Sequence, residues 1–83
     1  MKCVVHTPMY DWDGRKYLEL EIENKIVRVK VPFRYGRVMC TCLGLKTVQE
    51  LQKGDLVEIE TEIKTWDGVG HWILKSVREI TGS

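Results

Sequence analysis

The sequence lacks the features that are typical of membrane proteins and of secreted proteins. Among its 83 residues no apolar run approaches the roughly 20 residues that a membrane-spanning helix needs. The segment MKCVVHTPMYDW holds no apolar run long enough for a secretory leader, and the three cysteines are an odd number. We therefore expect a cytoplasmic protein, in a reducing compartment, that does not bind a membrane.

The motifs of several common enzyme classes are also missing. The sequence contains no Gly-rich phosphate loop, no nucleophile elbow and no HExxH segment, so that a cysteine with a histidine is the only candidate nucleophile pair. The glutamates of DLVEIETEIK alternate as a solvated strand face does, and not as paired catalytic carboxylates. We expect no catalytic residues and no cofactor, and we do not expect an enzyme.

The cysteines and histidines allow a metal site as an alternative to buried thiols. Cys3-x-x-His6 and Cys40-x-Cys42 together supply four ligands, the number that a structural zinc site needs. However, the Cys-x-Cys spacing is tighter than usual, and residues three apart on a strand point to opposite faces. Because buried thiols are the more common use of free cysteine, we expect no metal.

Acidic residues are absent from one long segment. The whole chain has a formal net charge of +1, but residues 24–49 carry six bases and no acid. A nearly neutral total argues against bulk electrostatic binding to nucleic acid. The basic segment still allows a local basic patch.

One alternating stretch, KYLELEIENKIVRVKVPF at residues 16–33, organises the chain. Its period of two is interrupted only at Asn24-Lys25, which predicts a β-hairpin with a two-residue turn there. That turn places Leu18 opposite Val31, Leu20 opposite Val29, Ile22 opposite Val27, Glu19 opposite Lys30 and Glu21 opposite Arg28. Lys25 is the weak point, because a type I′ turn favours Gly at that position.

The rest of the sequence predicts three more strands and a short helix. In chain order we expect a first strand at 2–10 with Pro8 at a bulge or edge, a turn at Asp13-Gly14, a loop or irregular strand end at 34–45, a short helix at 47–54, a fourth strand at 55–64, a turn at Asp67-Gly68, a fifth strand at 71–80 and a frayed end at 81–83. The helix is indicated by Thr47 as N-cap, Glu50 as its capping-box partner and Gly54 after the last turn. In the fifth strand we assign Trp72, opposite Ile63, to the core.

This order of elements resembles the OB-fold. Three strands joined by tight turns, a short helix between strands 3 and 4, and a final hairpin span residues 1–83 as a single domain. The resemblance implies an all-β, small five-stranded antiparallel barrel, and an SH3-like barrel is the alternative. It also implies that oligonucleotides or oligosaccharides bind the face of strands 2 and 3 and the loops between strands 1 and 2 and strands 4 and 5.

Both of those loops carry the same tripeptide, Trp12-Asp13-Gly14 and Trp66-Asp67-Gly68. An indole at a loop tip stacks on any base, although a tryptophan there also serves to cap the end of a barrel. A second cluster of arginines and aromatics, FRYGR at 33–37, suits phosphate contacts, unless one ring closes the barrel and the arginines are solvated. The predicted binding residues are Trp12, Arg15, Lys16, Tyr17, Arg28, Lys30, Arg34, Tyr35, Arg37 and Trp66.

Two functions follow from these residues. The first is a module that binds single-stranded DNA or RNA with little sequence preference by stacking bases on loop aromatics. Against it, Glu19, Glu21 and Glu23 lie on the outward face of strand 2, where they would neutralise Arg28 and Lys30. The alternative is a protein-interaction subunit of a larger complex that uses the same aromatic and arginine surface.

Overall fold

Five long strands form a closed barrel in a computed structural model that describes residues 1–44 and 46–80. Three strands of two residues each are also present, and the full set in chain order is β1 (Lys2–Trp12), β2 (Arg15–Ile22), β3 (Lys25–Lys30), β4 (Phe33–Arg34), β5 (Arg37–Val38), β6 (Thr41–Cys42), β7 (Leu56–Trp66) and β8 (Val69–Glu79). The barrel uses β1, β2, β3, β7 and β8, whereas β4 and β5 pair only with each other. The prediction of a small all-β barrel with five strands is confirmed, and the barrel is compatible with an OB-like fold. The predicted frayed end at 81–83 lies outside the described residues, as does Leu45.

The barrel closes where β3 lies beside β8. Around the ring the strands follow in the order β3-β2-β1-β7-β8, and each of these neighbouring pairs is antiparallel. The closing pair is parallel, with Val29 beside Trp72 and Lys30 beside Ile73. A closed ring with an odd number of strands cannot alternate in direction throughout. The prediction of an entirely antiparallel barrel is therefore wrong at this junction.

The two Trp-Asp-Gly segments form equivalent hairpin turns. Asp13 and Gly14 have φ values of 52° and 73°, and Asp67 and Gly68 have φ values of 54° and 73°. Positive φ at both central residues defines the type I′ turn, whose twist matches that of the flanking strands. Both predicted turns are confirmed, and each tryptophan is the last residue of the strand before its turn.

The central hairpin forms, but its predicted register is wrong by two residues. The turn residues are Glu23 and Asn24, at φ 50° and 65°, and Lys25 begins β3. The observed cross-strand pairs are Leu18 with Val29, Glu19 with Arg28, Leu20 with Val27, Glu21 with Ile26 and Ile22 with Lys25. Because Asn adopts positive φ more readily than Lys, the turn moves one residue toward the N-terminus. A shift of two residues leaves every side chain on its predicted face.

The predicted helix at 47–54 is wrong, since only a single 3₁₀ turn forms, at Val48–Glu50. The capping contact is present: the Thr47 amide donates to Glu50 Oε1 at 3.0 Å. The next turn is diverted because the Gln52 amide donates to the Asp55 carboxylate at 2.9 Å, and the Asp55 amide returns a bond to the Gln52 carbonyl. Val48 is buried by the one turn that remains.

The core lies inside the barrel. Its largest fully buried side chains include Leu18, Leu20, Ile59 and Leu74, and Trp72 packs against this cluster while only partly buried. Bulges in β1 lie between Val5 and Thr7 and between Thr7 and Tyr10, where Pro8 was expected to need one. Over residues 1–44 and 46–80, no helix is both long and apolar enough to cross a membrane.

The β7–β8 hairpin extends well past the barrel seam with β1. The two strands pair with each other from Val57–Glu79 to Trp66–Val69, but β7 pairs with β1 only through Leu56–Glu58. The register of the hairpin shifts between Glu60 and Thr61, and beyond that point Ile63 is 66% exposed. The tip of this hairpin therefore forms one wall of the surface described next.

Candidate nucleic-acid interface

A cavity of about 360 Å³ lies between the β1–β2 turn, the segment that follows β3 and the β7–β8 hairpin. Five basic side chains line it: Arg15, Lys16, Lys30, Arg34 and Lys64. Two aromatic rings, Phe33 and Trp66, share the lining, and none of the described residues that line it is acidic. Sequence segments that are far apart in the chain thus supply one basic concavity.

A second, smaller cavity of about 200 Å³ is lined by residues of β2, β3 and β8, among them Tyr17, Arg28 and His71. Lys30 lines both cavities, so they adjoin along β3. We call the two together the basic groove.

Four bases of the groove lack a carboxylate partner. Over the described parts of the chain, Arg15, Arg28, Lys30 and Arg34 have no carboxylate oxygen within 4.0 Å. By contrast, Lys16 is paired with Asp11, and Lys64 lies 3.5 Å from Glu62. Charges that are not neutralised by neighbours remain available to an anionic ligand.

Trp66 is held by contacts on several sides. Its ring stacks on the His71 imidazole, with centroids 3.5 Å apart and an angle of 3° between the planes. Lys30 Nζ lies 5.2 Å and the Arg15 guanidinium carbon 5.7 Å from the indole centroid, both within cation–π distance. The indole therefore links the β7–β8 hairpin to the bases of β2 and β3.

A second aromatic cluster lies on the outward face of β1 and β2. The rings of Tyr10 and Tyr17 are 6.0 Å apart, and those of Trp12 and Tyr17 are 5.9 Å apart. The Arg28 guanidinium carbon lies over two of these rings, 4.7 Å from the Trp12 centroid and 4.8 Å from the Tyr17 centroid. Trp12 remains 53% exposed and Tyr17 is buried. The cluster thus presents one accessible indole beside a guanidinium without a carboxylate partner.

Glu19 is the carboxylate nearest in register to these bases, since it lies opposite Arg28. Its oxygens instead accept hydrogen bonds from the Tyr10 hydroxyl at 2.6 Å and the Thr7 hydroxyl at 3.1 Å. The bond from Tyr10 is the largest influence that lowers the pKa of Glu19. Over the described residues no glutamate forms an ion pair with Arg28 or Lys30. The charge of Arg28 still contributes to lowering the pKa of Glu19, so Glu19 offsets part of that charge without a direct ion pair.

Eight of the ten predicted binding residues meet at this surface. Seven line the groove, namely Arg15, Lys16, Tyr17, Arg28, Lys30, Arg34 and Trp66, and Trp12 contacts two of them. Tyr35 and Arg37 line neither cavity. They lie at the β4–β5 turn, where Tyr35 has φ 55° and is 92% exposed.

Phe33, Lys64 and His71 are among the groove residues that the predicted set does not contain. Lys16 Nζ lies 4.8 Å from the Phe33 centroid, so the ring lies against a basic side chain of the groove. Counting outward from the Asp67-Gly68 turn pairs Lys64 with His71. Since Lys64 and Trp66 are two apart on β7, the alternation of strand faces contained the signal that joins these residues to the site.

Among the described residues, no group of three or more His, Cys, Asp or Glu side chains lies close enough together to hold a metal ion. Burial raises the pKa of the Cys3 thiol to about 11. Burial and the neighbouring Cys42 raise the pKa of the Cys40 thiol to about 12. Both groups are therefore protonated at neutral pH, a form that binds metals poorly.

No protein-family model, no curated protein and no solved structure matches this chain. A proposal for its function therefore starts from the basic groove.

Proposed function

We propose that the protein is an OB-like module that binds single-stranded DNA or RNA with little sequence preference. The observation that carries this proposal is the basic groove, in which Arg15, Arg28, Lys30 and Arg34 have no carboxylate partner within the described chain. An OB-fold binds its ligands on the surface of strands 2 and 3 and the two adjoining loops, and the groove has the corresponding position. The free thiols of Cys3, Cys40 and Cys42 support a reducing, cytoplasmic location.

The charges of the groove support a nucleic-acid ligand although the chain as a whole carries a net charge of only +1. Association with a polyanion depends on the bases that contact phosphates, and not on the sum over the chain. The acidic residues of β7, which include Glu58, Glu60 and Glu62, reduce the total without lining the groove. We therefore expect local binding through a small number of phosphates.

The aromatic rings support single strands over duplexes. A base must be unstacked before it can lie on an indole, and the exposed ring of Trp12 offers such a platform beside Arg28. Every base has a flat π-face, so stacking contributes affinity with little discrimination between sequences. This combination favours a sequence-tolerant binder.

The test is a titration of fluorescein-labelled oligo-dT and oligo-U, followed by anisotropy, at several salt concentrations. With roughly two to four phosphates neutralised, the slope of log K against log salt is expected to be about −1.4 to −2.8. The double variant Lys30→Ala/Arg34→Ala is expected to make this slope shallower by about 1.4. Lys53→Ala, which removes one exposed charge outside the groove, is the control. A wild-type affinity that does not depend on salt would contradict the proposal.

A protein-interaction subunit is the second candidate, and one observation favours it. Tyr35 is 92% exposed at the β4–β5 turn, outside the groove, and tyrosine is common at the hot spots of protein interfaces. If neither oligonucleotide binds at low salt and Tyr35→Ala abolishes the capture of a cellular protein, this second function replaces the first.

A further inference from the structure

We propose that the larger cavity of the basic groove is a nucleotide subsite, which holds one base together with its phosphate. This inference rests on the proposed function and deepens it. Binding of a strand needs only a charged surface with stacking rings, whereas a subsite implies that one nucleotide of the strand enters a defined pocket. The ligand chemistry is that of a nucleoside monophosphate, whether free or within a strand.

The size of the cavity fits one nucleotide. Its volume of about 360 Å³ lies within the range of roughly 300–1,000 Å³ that is typical of small-molecule pockets. The second cavity of the groove, at about 200 Å³, falls below that range. A nucleotide that sits in a pocket is therefore expected between β3 and the β7–β8 hairpin, and not beside Tyr17.

The floor of the cavity is apolar. Val31 is 1% exposed and Ile73 is 6% exposed, and both line the cavity together with Pro32. Phe33 and Trp66 add aromatic surface. A flat nucleobase would bury its faces against such a lining. An inorganic anion would leave these apolar side chains without a partner.

The rim of the cavity is cationic, and several of its Lys and Arg side chains are held in place by aromatic rings. Lys30 and Arg15 lie against the Trp66 ring at 5.2 and 5.7 Å, and Lys16 lies against Phe33 at 4.8 Å. Arg34 also lines the cavity and has no carboxylate partner over the described residues. A guanidinium binds phosphate oxygens in a bidentate manner, so Arg34 and Arg15 are the candidate phosphate ligands. The apolar floor would thus bind the nucleobase and the adjoining cationic rim its phosphate, within one pocket.

The test compares three ligands by calorimetry or by NMR titration: thymidine 5′-monophosphate, thymidine, and 2-deoxyribose 5-phosphate. If the pocket holds base and phosphate together, the monophosphate is expected to bind about tenfold or more tightly than either partial ligand. Arg34→Ala is expected to weaken the binding of the monophosphate about tenfold or more. Lys53→Ala is the control, because it removes an equal charge from an exposed position outside the groove and should leave monophosphate binding within about twofold.

The outcomes separate the two proposals. Oligo-dT binding that depends on salt, without any advantage of the monophosphate over 2-deoxyribose 5-phosphate, would overturn the subsite and leave the strand-binding function standing. Equal effects of Arg34→Ala and Lys53→Ala on the monophosphate would also overturn it. Monophosphate binding that is lost with Arg34→Ala, in a protein that does not bind oligo-dT or oligo-U, would support the subsite for a free nucleotide and overturn the strand-binding function.

Discussion

Replacing Trp66 by Ala should weaken oligonucleotide binding while leaving the barrel folded. Trp66 contributes its ring to the groove, where it contacts His71, Lys30 and Arg15. An aromatic platform contributes roughly 1 to 3 kcal/mol per stacked base. We therefore expect the affinity for oligo-dT to fall by a factor of roughly 5 to 150.

The expected loss of stability is smaller than that of a core residue, because Trp66 is the last residue of β7 and lies at the hairpin turn. Losing the stack on His71 costs about 0.5 to 1.5 kcal/mol, and each exposed cation–π contact about 0.5 to 1. The sum is roughly 1.5 to 3.5 kcal/mol, which is less than the 5 to 15 kcal/mol that is typical of a domain. Trp72 packs against the core from β8. Its replacement by Ala should lower the free energy of unfolding by up to about 3 to 5 kcal/mol.

Urea unfolding followed by circular dichroism measures the free energy of unfolding of each variant, and anisotropy with labelled oligo-dT measures binding. Trp12→Ala is a second binding variant, since its indole is accessible and its loss should also reduce affinity. Trp66→Phe is the conservative control and should restore part of the affinity. If Trp66→Ala is destabilised as much as Trp72→Ala, the ring is a structural cap. If it folds and binds oligo-dT unchanged, base stacking on Trp66 is refuted.

Two further predictions concern the outer strand face and the central turn. Tyr10→Phe removes the hydrogen bond that most lowers the pKa of Glu19 from its ordinary 4.5. Because this bond stabilises the ionised carboxylate, the loss of stability should be present at pH 7 and should shrink as the pH falls below about 4.5 and Glu19 becomes protonated. Urea unfolding at pH 7 and at pH 3 measures this difference. Glu23→Asn should stabilise the hairpin by a few tenths to about 1 kcal/mol, because Asn tolerates the positive φ of that position. Lys25→Gly should destabilise the hairpin, because Lys25 lies in a strand. Thermal unfolding measures both effects, and a stabilising Lys25→Gly would restore the turn first predicted from the sequence.

Local sequence signals predicted the parts of the fold that depend on few residues. The Asp-Gly turns at Asp13 and Asp67 follow from the positive φ that a type I′ turn requires. Because each turn follows a tryptophan, the sequence also indicated that an indole lies beside each turn. The strands themselves follow from alternation, which records one buried and one exposed face.

The elements that the sequence did not predict depend on competing hydrogen bonds, on short strand length and on barrel closure. The segment after Thr47 has capping signals for a helix, but Asp55 accepts the Gln52 amide and Leu51 adopts an extended conformation at ψ 141°. The β4–β5 pair has only two residues in each strand, too few to give an alternating pattern. The parallel seam of β3 with β8 is set by barrel closure, which no local pattern records.

The predicted site residues remained together although the predicted register was wrong, and the reason is geometric. The period of a strand is two, so an error of two residues changes which side chains face each other but not which face they occupy. Arg28 and Lys30 therefore stayed on the outward face with Tyr17, and each moved one pair along β2. The change had a chemical consequence, because Lys30 now lies opposite Tyr17 and not opposite Glu19, and it remains without a carboxylate partner over the described residues. An error of one residue would have placed both bases inside the barrel and left the groove without its central charge.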